Sequence, residues 1–333
     1  MAAQRVTIAI VPRERFSLAQ QSLQSVLDHR DPSTELVYID GGSPPLVRQF
    51  LEQRAARHGF RLISTERYLS PNAARNLAAA QVRTKYLALL DNDVLVSPGW
   101  LEALVDCAET TGAWLVAPVC CSGSPNHAIV LDAGGAAEIT TAAGQRSLHV
   151  ETYHRGQRLA NVAPQLRREA VGQVAFHAVL VRTSALVDVG PFDEQLLSVA
   201  QQTDYCLRVG EHGERVYLEP AAVVTHEPPP PFDAEDVEYF QLRWSDAWNR
   251  ASIEHFRAKW HLATDDPALS ALAQQLDAHR RLLLEPYRRF LRLLGNRPAR
   301  WFENILIAPW EQAANRRRFP ATRVADGEKR RVA

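Results

Sequence analysis

The chain has 333 residues and 46% of them are hydrophobic, which excludes an intrinsically disordered protein and allows one large or two ordinary domains. Its 38 basic and 38 acidic residues balance, so the net charge gives no argument for binding nucleic acid. The balance hides a gradient, because residues 280–333 contain 14 Lys or Arg and 5 Asp or Glu. The basic C-terminal segment therefore needs an explanation of its own.

The cysteines and the N-terminus bear on where the protein works. Four cysteines show neither paired metal-ligand spacing nor the density of a disulfide-rich scaffold: Cys107, Cys120, Cys121 and Cys206. The chain runs from Met1 almost directly into an apolar strand pattern without signal-peptide features, and no segment approaches the ~20 apolar residues that span a bilayer. We therefore expect a cytoplasmic protein with reduced thiols.

Strand and helix patterns alternate through the first third of the chain. We predict strands over residues 6–11, 36–39, 60–64 and 86–90, and helices over 17–29, 45–58 and 71–80. This alternation indicates an α/β fold with a Rossmann-like, mostly parallel sheet flanked by helices. Ligands of such sheets bind beyond the carboxyl ends of the strands. Two predicted strands end at acidic residues, Asp40 and the Asp91-Asn92-Asp93 run, so we expect these carboxylates to converge on one crevice.

The middle of the chain is less regular in pattern. We predict a helix over 100–109, a strand over 114–119, loops and irregular hairpins over 122–144, strands over 176–182 and 215–225, and helices over 183–189 and 202–211. The run Pro228-Pro229-Pro230-Pro231 stops regular structure, so it is expected to mark the seam to a helical C-terminal part.

The Asp91-Asn92-Asp93 run is the central chemical signal. Two carboxylates spaced i, i+2 at a strand end can reach a divalent cation and a ribose together. Hard oxygen ligands suit Mg²⁺ or Mn²⁺, which also bind diphosphate oxygens. Taken alone, such a pair is also typical of a solvated turn, so the surrounding sequence has to decide.

The surrounding motifs resemble a family 2 glycosyltransferase of the GT-A fold. The family's motifs correspond here to Val11-Pro12, Asp40-Gly41-Gly42-Ser43, Ala74-Arg75-Asn76 and Leu89-Leu90-Asp91-Asn92-Asp93, and farther on to Val189-Gly190-Pro191-Phe192-Asp193-Glu194 and Asp204-Tyr205-Cys206-Leu207-Arg208. The resemblance covers roughly residues 6–227. It implies a transferase that uses a nucleotide-sugar donor, here a UDP-, GDP- or dTDP-sugar, with Mn²⁺ or Mg²⁺ as cofactor.

The resemblance also implies roles for individual residues. It places Pro12, Glu14, Asp40, Arg75, Asp91 and Asn92 around the nucleotide, and Asp93, Asp91 and His226 around the metal ion. Two of these residues have a structural alternative: Asp40 as a turn residue before two glycines, and Arg75 as a partner in a salt bridge. His226 ends the predicted strand before the Pro run, where its imidazole would complete the metal shell; the alternative is an ordinary loop residue.

The general base of the family has no direct counterpart in this sequence. The positions that usually hold an acidic pair are Gln201 and Gln202 here, and glutamine cannot accept a proton. Three options stay open: Asp204, His177, or an acceptor that needs little base assistance. The structural alternative for Asp204 is stabilisation of a helix N-terminus, and for His177 a satisfied core histidine.

The C-terminal part is not covered by the resemblance. The aromatic residues between Arg243 and Trp260 have helical spacing, which favours a packing helix over the lining of an acceptor site. Residues 268–294 are rich in Leu and Arg and are interrupted by Pro286, which should kink or split a helix. We favour packing of this stretch against the catalytic domain or, in a homo-oligomer, a second subunit. The alternative is peripheral contact of these basic helices with the inner membrane face.

The expected organisation is a nucleotide-sugar-binding half over 1–120, an acceptor-binding half over 121–232, a helical extension over 233–315 and a mobile basic tail over 316–333. The expected reaction is metal-dependent and inverting glycosyl transfer to an acceptor that the sequence does not identify. A nucleotidyltransferase would usually show a Gly-rich phosphate loop near the first strand, which residues 11–15 lack. A non-catalytic nucleotide-sugar-binding scaffold is the second alternative, motivated by Gln201 and Gln202.

Overall fold

The first third of the chain alternates strands and helices, as predicted. The protein is described by a computed structural model covering residues 5–123, 127–226, 232–285, 295, 298 and 301–320. Its first elements are β1 (Val6–Val11), α1 (Ala19–His29), β2 (Glu35–Gly41), α2 (Pro45–His58), β3 (Arg61–Thr65), α3 (Pro71–Ala79), β4 (Tyr86–Asp91), β5 (Val94–Val96), α4 (Trp100–Thr111) and β6 (Leu115–Ser122). Predicted and observed boundaries differ here by a few residues at most, because the apolar runs of buried strands are sharply bounded.

The second part of the chain is more regular than predicted. It contains β7 (Ile129–Asp132), β8 (Gly135–Ala142), β9 (Gln145–Thr152), α5 (Leu159–Val162), β10 (Glu169–Val171), β11 (Ala178–Arg182), α6 (Thr183–Asp188), α7 (Gln201–Glu211) and β12 (Val216–His226). The prediction of irregular structure is wrong for the β8–β9 hairpin, which pairs in register over its whole length. Its turn residues Ala143 and Gly144 both have positive φ, the geometry of a tight hairpin, without the usual Asn-Gly signal.

Ten strands form one sheet in the order β10-β12-β6-β11-β4-β1-β2-β3, with β5 and β7 paired to β12 and β6. The strands β4, β1, β2 and β3 are mutually parallel, whereas β11 runs antiparallel between β4 and β6. Strands from both predicted halves therefore share a single sheet. The parallel strands bring their carboxyl ends to one edge, which is where the acidic residues lie.

Apolar side chains cover both faces of the sheet. On one face, Val26 of α1 and Trp100 and Leu104 of α4 pack against the strands. On the other face, Ala74 of α3 and Tyr205 of α7 pack against alternate residues of the same strands. The strands are thus buried on both sides, which explains why they appear as continuous apolar runs in the sequence.

The C-terminal part is helical, as predicted. It contains α8 (Ala234–Arg243), α9 (Asp246–Lys259), α10 (Pro267–Arg280), a 3₁₀ turn (Arg281–Leu284), and a helical segment over 301–318 that comprises a π-helical stretch (Glu303–Ile307) and α11 (Ala308–Arg318). The aromatic stretch forms two helices because Ser245 interrupts it and accepts a hydrogen bond from the Trp248 amide to begin α9.

The described C-terminal helices pack against the sheet domain. Trp244, Trp248, Phe256 and Trp260 are buried, which matches the packing interpretation of the aromatic stretch. In α10 the buried leucines Leu269 and Leu276 lie in apolar clusters with residues 196–200. No helix among the described residues is long and apolar enough to cross a bilayer.

Some predictions concern residues outside the described ranges. These are the seam at residues 228–231, the kink at Pro286, and the basic tail beyond residue 320. The part of the predicted tail that is described, Arg316-Arg317-Arg318, forms the last turn of α11.

Candidate active site

Strand register brings the end of β12 beside the acidic run that follows β4. Asp91 is the last residue of β4 and lies opposite Val11 of β1. His226 ends β12 and lies opposite Val94, the first residue of β5. Because Asp93 immediately precedes Val94, this register places the His226 imidazole next to the Asp93 carboxylate. The distance between His226 Nε2 and Asp93 Oδ2 is 3.4 Å.

Asn92 holds the loop that follows β1. Its side-chain Oδ1 accepts a hydrogen bond from the Arg13 amide at 3.0 Å, and its Nδ2 donates to the Arg15 carbonyl at 3.0 Å. The Asn92 amide donates to the Val11 carbonyl. The resemblance implies that Asn92 lies near the nucleotide. In the structure, the oxygen and the nitrogen of its side-chain amide are both hydrogen-bonded to the backbone of the loop after β1. Asn92 therefore positions Glu14, which lies between the two residues that it holds.

Glu14, Asp93 and His226 form a cluster that could hold a metal ion. One ligand atom from each lies within 4.8 Å of the other two. Both carboxylate oxygens of Asp93 are buried and accept no hydrogen bond within the described part of the chain. Buried polar atoms are rarely left without a partner, so these oxygens indicate a missing ligand. Two carboxylates and one imidazole suit a divalent ion such as Mn²⁺.

The charges within the cluster shift the pKa values of its side chains. Burial acts to raise the pKa of Glu14, but His279, Arg13 and His226 outweigh it and hold the pKa well below its usual range. Burial acts to lower the pKa of His226, but the carboxylates of Asp93 and Glu14 outweigh it and raise the pKa. The two carboxylates therefore attract a positive charge at the position that a cation would occupy.

Asp91 points away from this cluster and toward basic groups. Its Oδ1 lies 3.5 Å from Arg75 NH2, and its Oδ2 lies 3.5 Å from Arg13 Nε and 3.1 Å from His177 Nδ1. Burial acts to raise the pKa of Asp91, but Arg13 and the other two groups outweigh it, so the pKa is lowered. The predicted metal set of Asp93, Asp91 and His226 thus differs from the set that the structure brings together, in which Glu14 replaces Asp91.

His177 lies within the site rather than in the core. Its ring is 4.4 Å from the ring of His226, between centroids, and its Nδ1 faces Asp91. Burial lowers the pKa of His177, which favours the neutral imidazole. With the Nδ1 proton donated to Asp91, Nε2 is left free to accept a proton.

Arg75 links Asp91 to the position where the usual base is missing. It is buried, donates to Gln201 Oε1 at 3.3 Å, and also contacts Asn72. Burial lowers the pKa of Arg75 to about 10. Gln201 in turn donates to the Leu196 carbonyl, so both ends of its amide are engaged. The predicted salt bridge of Arg75 is present, and its partner is Asp91.

Arg243 is a buried cation that the sequence reasoning did not single out. Its guanidinium is fully buried, stacks 4.4 Å from the Trp244 ring centroid, and finds no hydrogen-bond acceptor among the described residues. Its pKa is lowered to about 9, chiefly by burial and also by the neighbouring cations Arg13 and Arg75, which outweigh the opposing effects of Tyr239 and Glu14. A Q-L-R-W stretch at a helix end carries no general signal for such a site; the burial of the guanidinium reveals it.

The helical extension contributes two hydrogen bonds to the cluster. Glu14 Oε2 accepts hydrogen bonds from Trp244 Nε1 at 3.0 Å and from His279 Nε2 at 3.1 Å. These two residues come from the end of α8 and from α10. The site is therefore assembled from the sheet and the C-terminal helices together, and not from the first 227 residues alone.

Asp40 and Pro12 lie at the same sheet edge but outside the metal cluster. Asp40 Oδ1 accepts from the Ser43 amide at 2.8 Å, and its Oδ2 lies 3.3 Å from Arg48 Nε. This is the turn geometry of the structural alternative. The Pro12 ring packs against Gly41, where an added Cβ would lie 2.8 Å from the Pro12 Cγ.

Asp204 has structural partners at both oxygens. Its Oδ1 accepts from Trp260 Nε1 at 3.0 Å, and its Oδ2 accepts from Lys259 Nζ at 2.9 Å. It lies in the first turn of α7, where a carboxylate stabilises the helix N-terminus. Of the two residues considered as bases, the structure brings His177 to the metal cluster and engages Asp204 with α9.

The fold is of the GT-A type. The chain superimposes on a solved structure of GalNAc-T7 with UDP, GalNAc and Mn²⁺ at a TM-score of 0.52, with 14% identity, covering 92% of this chain and 56% of that one. It superimposes on Staphylococcus aureus TarS 1–349 in complex with UDP-GlcNAc at a TM-score of 0.51, with 12% identity and coverage of 93% and 79%. At these identities the likeness shows the fold.

The sequence comparison gives a partial family match. Residues 7–157, a little under half of the chain, match the glycosyl transferase family 2 model. The chain is 37% identical over 159 residues to the pre-mycofactocin glycosyltransferase of Mycobacterium tuberculosis, which covers 47% of this chain and 30% of that protein. It is 28% identical over 112 residues to the succinoglycan biosynthesis protein ExoO of Rhizobium meliloti, covering 32% and 31%. The chain thus spans about a third of each of these relatives' length.

Proposed function

We propose that the protein transfers a sugar from a nucleotide-sugar donor to an acceptor and requires a divalent cation for this reaction. The observation that carries the proposal is the cluster of Glu14, Asp93 and His226, in which both Asp93 oxygens are buried without a hydrogen bond. The cluster lies at the carboxyl edge of the parallel strands, where sheets of this kind bind their ligands. The match of residues 7–157 to the glycosyl transferase family 2 model supports the same activity.

The donor set fits Mn²⁺ or Mg²⁺, and we favour Mn²⁺ because an imidazole joins the two carboxylates. Glu14 Oε1, Asp93 and His226 Nε2 would hold the ion. When bound, the cation would neutralise negative charge on the nucleoside diphosphate leaving group. The other Glu14 oxygen would stay bonded to Trp244 and His279, which fixes the carboxylate in place.

The charges around the site match a diphosphate. The carboxylates of Glu14 and Asp93 balance a divalent cation, and Asp91 lies between Arg13 and Arg75. Arg243 is then left without an anionic partner among the described residues. A buried cation of this kind is costly unless a ligand supplies the opposite charge. We therefore propose that Arg243 faces the donor phosphates.

His177 is our choice for the general base over Asp204. Its Nε2 is free when Nδ1 bonds to Asp91, and burial keeps the imidazole neutral. Deprotonation of the acceptor by this nitrogen would support direct displacement and inversion at the anomeric carbon. Replacement of His177 by Gln keeps the hydrogen bond to Asp91 within reach while removing the base, so transfer should slow with donor binding retained.

We propose a uridine diphosphate sugar as the first donor to test. Both solved proteins of the same fold named above were crystallised with UDP or a UDP-sugar. The nucleotide of the donor is the property that the first experiment should determine. UDP, GDP and dTDP should therefore be titrated into the full chain by calorimetry, each with and without Mn²⁺.

Metal-dependent binding of one nucleotide, followed by cleavage of the matching sugar donor, would support the proposal. Binding that does not respond to Mn²⁺ or EDTA would contradict the role of the cluster. The glutamines at 201 and 202 favour a second candidate, a non-catalytic nucleotide-sugar-binding protein. That candidate predicts metal-dependent binding with an intact donor for every acceptor tried, whereas a nucleotidyltransferase would release pyrophosphate.

A further inference from the structure

The exposed apolar side chains are concentrated near the end of the described chain. Eight large hydrophobic residues are exposed among the described residues, and five of them belong to one helical segment. These five, which we call the outward apolar face, are Trp301, Phe302, Ile305, Leu306 and Trp310. Four are more than half exposed and Phe302 is 37% exposed. Contiguous exposed apolar residues mark interaction surfaces, whereas scattered ones do not.

The polar side of the same segment faces the protein. Glu311 accepts from Arg280 Nε at 2.6 Å, and Glu303 lies 3.7 Å from Arg281 Nε. Asn315 is buried and bonds to the backbone of the α8–α9 region. A helix at the surface of a water-soluble domain normally packs its apolar side inward and turns its polar side to water. Residues 301–318 have the opposite arrangement, so their outer side is suited to an apolar environment.

The exposed charges on this segment have one sign. Its two acidic residues, Glu303 and Glu311, are the ones that pair inward with arginines. The last turn of α11 exposes Arg316, Arg317 and Arg318, of which the first and third also contact surface carboxylates. Such exposed ion pairs are weak and are easily exchanged for other partners. The outward apolar face is thus followed by a cluster of available positive charge.

We propose that residues 301–318 dock on the surface of an anionic phospholipid bilayer. The tryptophans, Phe302, Ile305 and Leu306 would enter the boundary between headgroups and acyl chains, where aromatic and aliphatic side chains of interfacial helices lie. The arginines at 316–318 would face the anionic headgroups. A second copy of this chain is the less favourable occupant, because a symmetric contact would bring the same arginines together.

This proposal does not depend on the proposed catalytic activity. It also concerns a different segment from the sequence prediction of membrane contact. That prediction rested on residues 268–294, whose described part packs its leucines Leu269 and Leu276 inside the protein. In residues 301–318, by contrast, the polar side faces the protein, and no described residue covers the outward apolar face.

The test is flotation of the full chain with vesicles of phosphatidylcholine, with and without about one third phosphatidylglycerol. We expect binding that depends on phosphatidylglycerol and weakens with salt. The double change Ile305→Ser and Leu306→Ser should reduce partitioning by about tenfold or more. Val187→Ser, at an 80% exposed apolar residue on α6, is the matched control and should bind like the wild type. Arg317→Gln should lower the preference for anionic vesicles.

Thermal unfolding of each variant verifies that the fold is intact. Absence of binding to the anionic vesicles would overturn the proposal, as would equal losses in the double variant and the Val187 control. Light scattering gives a further decisive result. If the wild type forms dimers that the double variant does not form, and neither binds vesicles, the outward apolar face is a contact between copies and the bilayer proposal is wrong.

Discussion

Two groups of buried carboxylates in this protein differ in how well they are paired. Asp204 has a hydrogen-bond donor at each oxygen, and Lys259 joins it to Asp193. Asp93 is equally buried, but its oxygens accept no hydrogen bond within the described chain. Full pairing stabilises the fold, whereas an unpaired buried carboxylate costs stability unless a ligand completes it. The contrast supports our proposal that Asp204 serves the fold and that Asp93 binds the cation.

Removal of the Asp93 charge is the strongest test of this contrast. Asp93→Asn should lower the Mn²⁺-dependent affinity for the cognate nucleoside diphosphate by about a thousandfold, or ~4 kcal/mol. The unliganded variant should unfold at about the same temperature as the wild type, because the change removes the desolvation cost of the buried carboxylate together with its contact to the His226 imidazole. Calorimetric titration and thermal unfolding measure the two effects. A variant that binds normally would remove Asp93 from the metal site.

A third buried carboxylate, Asp132, is hydrogen-bonded more fully than Asp93 but has no basic side-chain partner among the described residues such as Lys259 provides for Asp204. It accepts hydrogen bonds from the amides of Gly134 and Ala175, yet burial raises its pKa to about 6. The folded protein therefore binds more protons than the unfolded chain between about pH 4 and pH 6, and stability contributed by this group is lost as pH rises through that window. Asp132→Asn should be more stable than the wild type at pH 7, by up to about 3 kcal/mol, and equal to it below pH 4.

Urea unfolding across this pH range measures the difference between the Asp132 variant and the wild type. Asp188→Asn serves as the control, since Asp188 is exposed at the end of α6. A constant difference across the range would show that the variant acts through packing and not through proton binding.

Removal of the Asp204 charge should lower the stability of the fold and leave nucleotide affinity unchanged, which is the opposite of the result expected for Asp93. Asp204→Asn weakens the contacts with Lys259 and Trp260, and we expect unfolding to become easier by about 2 kcal/mol. Nucleotide affinity should stay within about twofold of the wild type, because the metal cluster is untouched. The measurements are urea unfolding and the same titration. Retained stability together with lost transfer would restore Asp204 as a candidate base.

Arg243 allows the same test on a buried positive charge that has no hydrogen-bond acceptor among the described residues. Arg243→Met removes a buried guanidinium that stacks on Trp244, and it should weaken nucleoside diphosphate binding about tenfold. The unliganded protein should keep or gain stability. Arg250→Met is the control, because Arg250 is exposed and pairs with Asp246 on α9. A stability loss in the Arg243 variant without a change in affinity would assign this arginine to the fold.

The sheet and one edge of the site were predictable because their signals are local. Apolar runs mark β1, β2 and β4, and the parallel arrangement that they imply brings Asp40 and Asp91-Asn92-Asp93 to one edge. His226 was predicted from the family resemblance together with its position at a strand end, and the register of β12 with β5 explains its closeness to Asp93.

The tertiary structure decided which donor atoms meet. Glu14 joins Asp93 and His226 because Asn92 holds the loop after β1, and Asp91 turns instead to Arg13 and Arg75. Strand periodicity specifies a face and an edge, but the direction of a side chain depends on the partners that surround it.

The contribution of the C-terminal helices could not have been read from the sequence. Trp244, Arg243 and His279 reach the site across more than 200 residues of chain, through helix packing that no local pattern encodes. The same holds for residues 301–318, because the prediction of a helical extension over 233–315 does not say which side of this segment faces the protein. The sequence by itself determined the sheet, its acidic edge and the match to glycosyl transferase family 2 over residues 7–157. The tertiary structure decided the ligand set and the exposed surface, because both arise from contacts between segments that are distant in the chain.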